Sequence, residues 1–275
     1  MRLNRAGFTL IELLVATALT GLVATLALGT LARVQRGTQH IAERAQAHST
    51  LRSGAQLLRA ELRDLSAATN GDLLSIEPDR LVYRADRAFA LACGPAPDGV
   101  LLRLDSFRAL RLPAAGRDTL ELLLPTATPG EMEWTRLGII GPSRADLCPD
   151  GSAALAIPAA PLPALVPGHH AVRTWEVMEV RSYASGGDIW LGARSVSAGE
   201  GIQPVAGPLT AGGFQLGYLD AAGSPTGDPL AVRSIAVNLW SRGGMTSALG
   251  GASRAAAPAA DSLSFQIQLA GGGPL

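Results

Sequence analysis

The sequence predicts an α+β fold: a long N-terminal transmembrane helix continues into a globular head, whose antiparallel β-sheet packs on the helix. Three observations carry this expectation. An apolar run of about 25 residues, Phe8 to Ala32, is long enough to cross a bilayer as a helix. From Leu31 to Ala68 there is no proline, and apolar residues recur at three- and four-residue steps from Leu51 to Leu65. From Asp72 onward the pattern changes to short strand-like stretches separated by Gly and Pro.

The first seven residues, MRLNRAG, are polar and carry Arg2 and Arg5, and Arg33 closes the apolar run. Positive charge before a span favours a cytoplasmic start, with the bulk of the chain on the other side of the membrane. A secretory signal would have a shorter apolar region and a small-residue cleavage site, whereas this run continues into a polar helical pattern; a cleaved signal is the competing reading. Glu12 is the only charge between Phe8 and Ala32. A carboxylate at the centre of the hydrocarbon costs about 2.5–3.5 kcal/mol on insertion scales, so Glu12 either has a partner or lies hydrated at the interface.

Leu51, Ala55, Leu58, Leu62 and Leu65 fall on one helix face, with Arg52, Arg59, Glu61, Arg63 and Asp64 on the others. A continuous helix from Phe8 to Ala68 would be about 90 Å long, and Asn70-Gly71 supply its stop signal. Too few heptads repeat for a coiled-coil seam. Strands are expected at Arg80 to Ala85, Val100 to Leu104, Thr119 to Leu124, Thr174 to Tyr183, Ile189 to Val196, Phe214 to Leu219, Ser234 to Trp240 and Ser262 to Leu269. The last alternates Leu263, Phe265, Ile267 and Leu269 with Ser and Gln, as a strand with one buried face does. Pro142 to His170 and Gly243 to Asp261 read as loops.

Composition narrows the chemistry. The chain has 23 basic and 23 acidic residues, and this balance argues against a nucleic-acid binder held by charge. All the basic residues are arginine, so P-loop and Schiff-base chemistry lack their lysine. The G-x-S-x-G, H-E-x-x-H, G-x-G-x-x-G and EF-hand patterns are absent, and no catalytic residue, metal site or cofactor is expected. His169 and His170 read as solvated loop histidines. Glu176 and Glu179 read as exposed strand charges on opposite faces rather than an acid/base pair. Asp220 and Asp228 bracket a Gly/Pro-rich turn and read as solvated rather than as calcium ligands. Trp134, Trp175, Trp190 and Trp240 read as core or inter-sheet packing.

Within GFTLIELLVA, Gly7 to Ala16, a short basic leader ends in glycine, phenylalanine follows, and a glutamate stands four residues beyond it in an uninterrupted apolar helix. This resembles the N-terminal signal of type IV pilins and pseudopilins. The resemblance implies that a prepilin peptidase cuts between Gly7 and Phe8 and methylates the new Phe8 amine. It also implies that Glu12 pairs with the Phe8 amine of a neighbouring subunit, which suits a carboxylate in need of a cation. Residues 1–7 are then the leader peptide, 8–32 the transmembrane and filament-core helix, 33–70 its amphipathic continuation, and 71–275 the head. Gly21 matches the early helix glycine of the family, but the kinking proline of many major pilins is missing and only Gly29 stands in that region.

Leu209 to Arg242 resembles the strand, turn and strand near the C-terminus of PilW-type minor pilins and J-class minor pseudopilins of type II secretion. The resemblances together imply a minor pilin or pseudopilin in the inner membrane with its head outside the cytoplasm. Such a subunit joins, and initiates or caps, a filament extruded by an ATPase elsewhere in the machine. Its partners would be the prepilin peptidase, other pilin or pseudopilin subunits, the inner-membrane assembly platform and membrane lipid, with no specific nucleic acid. A membrane-anchored tip module for adhesion or DNA uptake is the alternative. Cys93 and Cys148 lie beside prolines, and an extracytoplasmic head would favour a disulfide between them over two buried thiols.

Overall fold

The computed structural model describes residues 10–67, 71–109, 111–126, 128, 130–161, 170–241 and 261–270. One long helix, α1 (Leu10–Leu62), precedes the strands β1 (Leu73–Glu77), β2 (Arg80–Ala96), β3 (Gly99–Arg103), β4 (Arg108–Ala109), β5 (Thr119–Pro125), β6 (Met132–Ile139) and β7 (Arg144–Leu147). They are followed by β8 (Ala153–Ala160), β9 (His170–Ser185), β10 (Asp188–Ser195), β11 (Gln203–Leu219), β12 (Ser234–Ser241) and β13 (Ser262–Gln268). Among the described residues the head is therefore largely β, and the long helix supplies the α part of the fold.

Two long strands organise the head. β2 and β9 pair antiparallel from Arg80↔Arg181 to Ala92↔His170. Their first and last halves then find different neighbours. On one side an open sheet runs β1-β2-β9-β10-β11-β12-β13. On the other, β2 continues to β3, β8, β6 and β5, and β5 returns to β9 through Thr119↔Trp175 to Leu122↔Val172. That closes a ring of six antiparallel strands, a small barrel that the residue pattern does not predict.

Each half has its own apolar core. Leu51, Ala55, Leu58 and Leu62 of α1 share one buried cluster with Leu81, Leu191, Ala206, Phe214, Ile235 and Leu239 of the open sheet. Gly54 sits at the closest approach, where an added Cβ would stand 2.8 Å from the Ala206 Cβ. The helix and β11 can meet there only because glycine has no side chain. The barrel interior is a separate cluster that includes Leu102, Leu120, Leu122, Leu137, Ile157 and Val172.

The helix ends at Leu62, short of the expected Ala68. The Ser66 amide donates to Asp72 Oδ2 at 2.8 Å, and this side-chain acceptor replaces the next helical carbonyl. Leu65 nevertheless stays in the helix-side core at 3% exposure. Asn70 lies outside the described residues.

The expected loop from Pro142 to His170 contains β7 and β8, and this corrects the sequence reading. In β8 Leu155, Ile157 and Ala159 enter the barrel core while Ala154 and Ala156 enter a second buried cluster on the other face. A strand covered on both faces shows no alternation, and Pro158 within it obscures the pattern further. Gly99 pairs with Pro158, and a Cβ at Gly99 would stand 1.9 Å from the Ile157 carbonyl oxygen. β6 also escaped the reading, and β11 begins well before Phe214 through a stretch broken between Leu209 and Phe214. Of the Gly243 to Asp261 loop, only Asp261 is among the described residues.

Leu58 is fully buried between helix and sheet, so Leu58→Ala is expected to destabilise the folded chain by about 2–5 kcal/mol in denaturant unfolding of the detergent-solubilised protein. The same change at exposed Leu57 should cost far less.

Candidate functional site

The first half of α1 differs in kind from the second. From Leu10 to Gln35, 26 residues have a mean hydropathy of 2.0, and the most apolar stretch among them contains no buried residue. Its large apolar side chains, from Leu10 to Val34, are 53–80% exposed. This stretch is long and apolar enough to cross a bilayer. Its hydroxyls are already satisfied within the helix: Thr17 donates to the Leu13 and Leu14 carbonyls, and Thr20, Thr25 and Thr30 to those of Ala16, Leu22 and Ala27. That arrangement lets threonine sit in hydrocarbon at little cost. Helix runs unbroken through Gly21 and Gly29, and a Cβ at either would meet nothing within 4 Å.

Glu12 is the acidic residue of the first helical turn. Gly7 and Phe8, named from the sequence as processing residues, lie outside the described residues.

In the head the structure joins Cys93 and Cys148 by a disulfide across 55 residues, with a Cα–Cα distance of 5.7 Å. Cys148 follows β7, and with Cys93 it belongs to a small cluster with Ala96, Leu101, Ala154 and Ala156. The bridge thus ties the β7–β8 hairpin to β2 on the outside of the barrel.

The head's charges correct the sequence reading most. Glu176 and Glu179 are not exposed strand charges; they are 2% and 1% exposed in β9 and each collects several arginines. Glu176 accepts from Arg87 Nε at 2.5 Å, from Arg117 Nε at 2.8 Å and from Ser195 Oγ at 2.8 Å, with Arg111 Nη2 at 3.3 Å. Burial pushes the Glu176 carboxyl up, but the hydrogen bonds from Arg87, Ser195 and Arg117 outweigh it and hold the group at about 2. Glu179 accepts from Arg80 Nε at 2.5 Å and from Arg194 Nε. On β5, Glu121 is shared between Arg136 and Arg173.

Other candidates also settle into structural places. His170 is buried at the start of β9 rather than solvated in a loop, and His169 lies outside the described residues. Asp220 Oδ1 accepts the Ala222 and Ser224 amides, and Asp228 Oδ1 accepts the Leu230 amide, so both hold turns. Trp175 is buried with the Arg84 and Arg136 guanidiniums each 5.0 Å from its ring, and Arg173 stands 4.8 Å from that of Trp134. Trp190 and Trp240 are half-buried in β10 and β12. Among the described residues no group of three His, Cys, Asp or Glu is placed to hold a metal ion. Arg87 and its helix partner Glu61 escaped sequence reasoning, because nothing in the linear pattern marks an arginine that only a register irregularity carries inward.

Residues 2–28 match the family described as the prokaryotic N-terminal methylation motif. This prepilin-type signal supports a type IV pilin-like chain, and it points to a pilin or pseudopilin subunit processed by a prepilin peptidase and assembled with other pilins. Comparison with the curated proteins and with solved structures gives no match.

Folding depresses the Glu176 pKa from 4.5 to about 2, so its pairing contributes fully above pH 4.5. As pH falls from about 4.5 to about 2 the unfolded chain takes up the proton first, and that stability is lost. Urea titrations at stepped pH should show unfolding free energy declining through this window. Glu176→Gln, less stable throughout, should show a shallower decline there.

Proposed function

We propose that the chain is a minor pilin or minor pseudopilin that joins, and initiates or caps, a type IV pilus or type II secretion pseudopilus. The observation that carries this reading is Glu12, an acid in the first turn of an otherwise apolar, uncovered helix that falls within the methylation motif. Cleavage between Gly7 and Phe8 would leave a methylated amine one helical turn before Glu12. In a filament, the Glu12 carboxylate of one subunit pairs with the Phe8 amine of its neighbour, so two groups that are costly apart in hydrocarbon become tolerable together. Before assembly the helix is stored in the inner membrane with the head outside the cytoplasm, where an oxidised Cys93–Cys148 bridge is at home. The assembly platform and its ATPase then draw it out.

The finer reading, PilW-type pilin or J-class pseudopilin, rests on the Leu209 to Arg242 resemblance. The part of β11 from Leu209 and the whole of β12 lie within that segment and pair from Leu209↔Ser241 to Leu219↔Ser234, and Tyr218 donates to the Glu77 carbonyl at 2.9 Å. A terminal role suits a head that carries a barrel beside its helix-docking sheet, because such bulk is easier to place at a filament end than along a close-packed shaft. The barrel is also what favours the second reading, a tip module that binds a surface.

N-terminal sequencing and intact mass of protein from native membranes, with and without prepilin peptidase, test the first step. The expected chain begins at N-methylated Phe8 only when the peptidase is present; a chain still beginning at Met1 would sink the proposal. Glu12→Val is expected to be inserted and cleaved normally but to be missing from sheared filaments. Loss of attachment with filament number unchanged in a deletion strain would select the tip-module reading.

A further inference from the structure

Arg87 occupies an unusual place. In the pairing of β2 with β9, Asp86 faces Trp175 and Ala88 faces Thr174, so Arg87 is the extra residue of a β-bulge. A bulge bends its strand and re-aims a side chain. Here it falls where β2 leaves the open sheet and enters the barrel: Leu81 and Tyr83 belong to the helix-side core, while Ala90 and Ala92 belong to the barrel core.

The re-aimed guanidinium bridges two acids on different elements. Its Nη1 lies 3.2 and 3.0 Å from the two oxygens of Glu61, in the last turns of α1, and its Nε lies 2.5 Å from Glu176 Oε1 on β9. The Arg87 side chain is only 9% exposed, so solvent screens these contacts weakly. Glu176 in turn holds Ser195 of β10 and, through Arg117 and Arg111, the segment leading into β5. Helix, sheet and barrel therefore converge on one arginine.

We infer that Arg87 is a latch that fixes the angle between α1 and the barrel. Glu61 is the arm that belongs to the helix; without it the barrel turns about the crossing at residues 86–88 and 174–176 while both cores remain folded. A displacement of the helix end is carried to the barrel through this arm. The latch does not depend on the filament reading and stands or falls separately from it.

The test uses the full chain in detergent, with non-cysteine spin labels at exposed Gln56 on α1 and exposed Glu133 on β6, and distance distributions from electron–electron resonance. Glu61→Gln and Arg87→Met are each expected to widen the distribution roughly twofold, with near-ultraviolet circular dichroism retained. Arg144→Gln, which removes an exposed pair with Asp98 away from the junction, should leave the width unchanged. Should Arg87→Met fail to fold, Glu61→Gln decides alone. A wild-type width in Glu61→Gln, or equal widening in Arg144→Gln, overturns the inference.

Discussion

The antiparallel pairing of β2 with β9 is the constraint on which the head depends. These strands are too long for one sheet to use on both edges along their whole length, so each is shared: one half extends the open sheet and the other half closes the barrel. Strand twist favours this division, because a long twisted pair presents differently directed edges at its two ends. The bulge at Arg87 marks the change of direction. Everything from β3 to β8 lies between the two strands in sequence, so the barrel is an excursion of the chain out of the sheet and back.

Helix α1 answers to two media along its length. Up to Gln35 its apolar side chains are uncovered and its threonine hydroxyls are satisfied internally, the arrangement that hydrocarbon demands. From Leu51 its buried side chains, Leu51, Ala55, Leu58 and Leu62, form a single stripe against the sheet, with arginines turned outward, the arrangement that water demands. One of those arginines, Arg59, covers the ring of Phe265 on β13 at 4.3 Å. The same secondary structure thus serves a membrane at one end and a protein core at the other.

Legibility followed the same physics. The Leu51 to Leu62 stripe and strands such as Ser262 to Gln268 were readable because each has one buried face and one exposed face, and the apolar run because it is apolar all round over a length that can cross a bilayer. β8 was unreadable because both of its faces are covered, one by the barrel core and one by the disulfide cluster. Closure of the barrel was unreadable for another reason: it depends on which distant strands meet, and Leu122↔Val172 leaves no local mark. In the N-terminal motif, Glu12 stood out because a charge in an apolar helix is costly. Arg87 did not stand out, and Glu61 and Glu176 read as a helix-surface charge and an exposed strand charge, since each looks like an ordinary surface charge until the bulge is known.

The absence of lysine connects with these buried acids. A carboxylate buried on a sheet needs several donors in fixed directions, and a guanidinium supplies a planar fork where an ammonium supplies a point charge. Glu176, Glu179 and Glu121 each gather two or more arginines from neighbouring strands or from the loop before β5. Removing one member of such a group leaves a buried charge without its counterpart, which is far costlier than losing an exposed pair. Guanidiniums also stack on indoles, and Arg84 and Arg136 on Trp175 and Arg173 on Trp134 use this second property on the same strands. In a chain with few aromatic residues, arginine thereby takes over part of the work of covering apolar rings, on the same strands where it neutralises the buried glutamates.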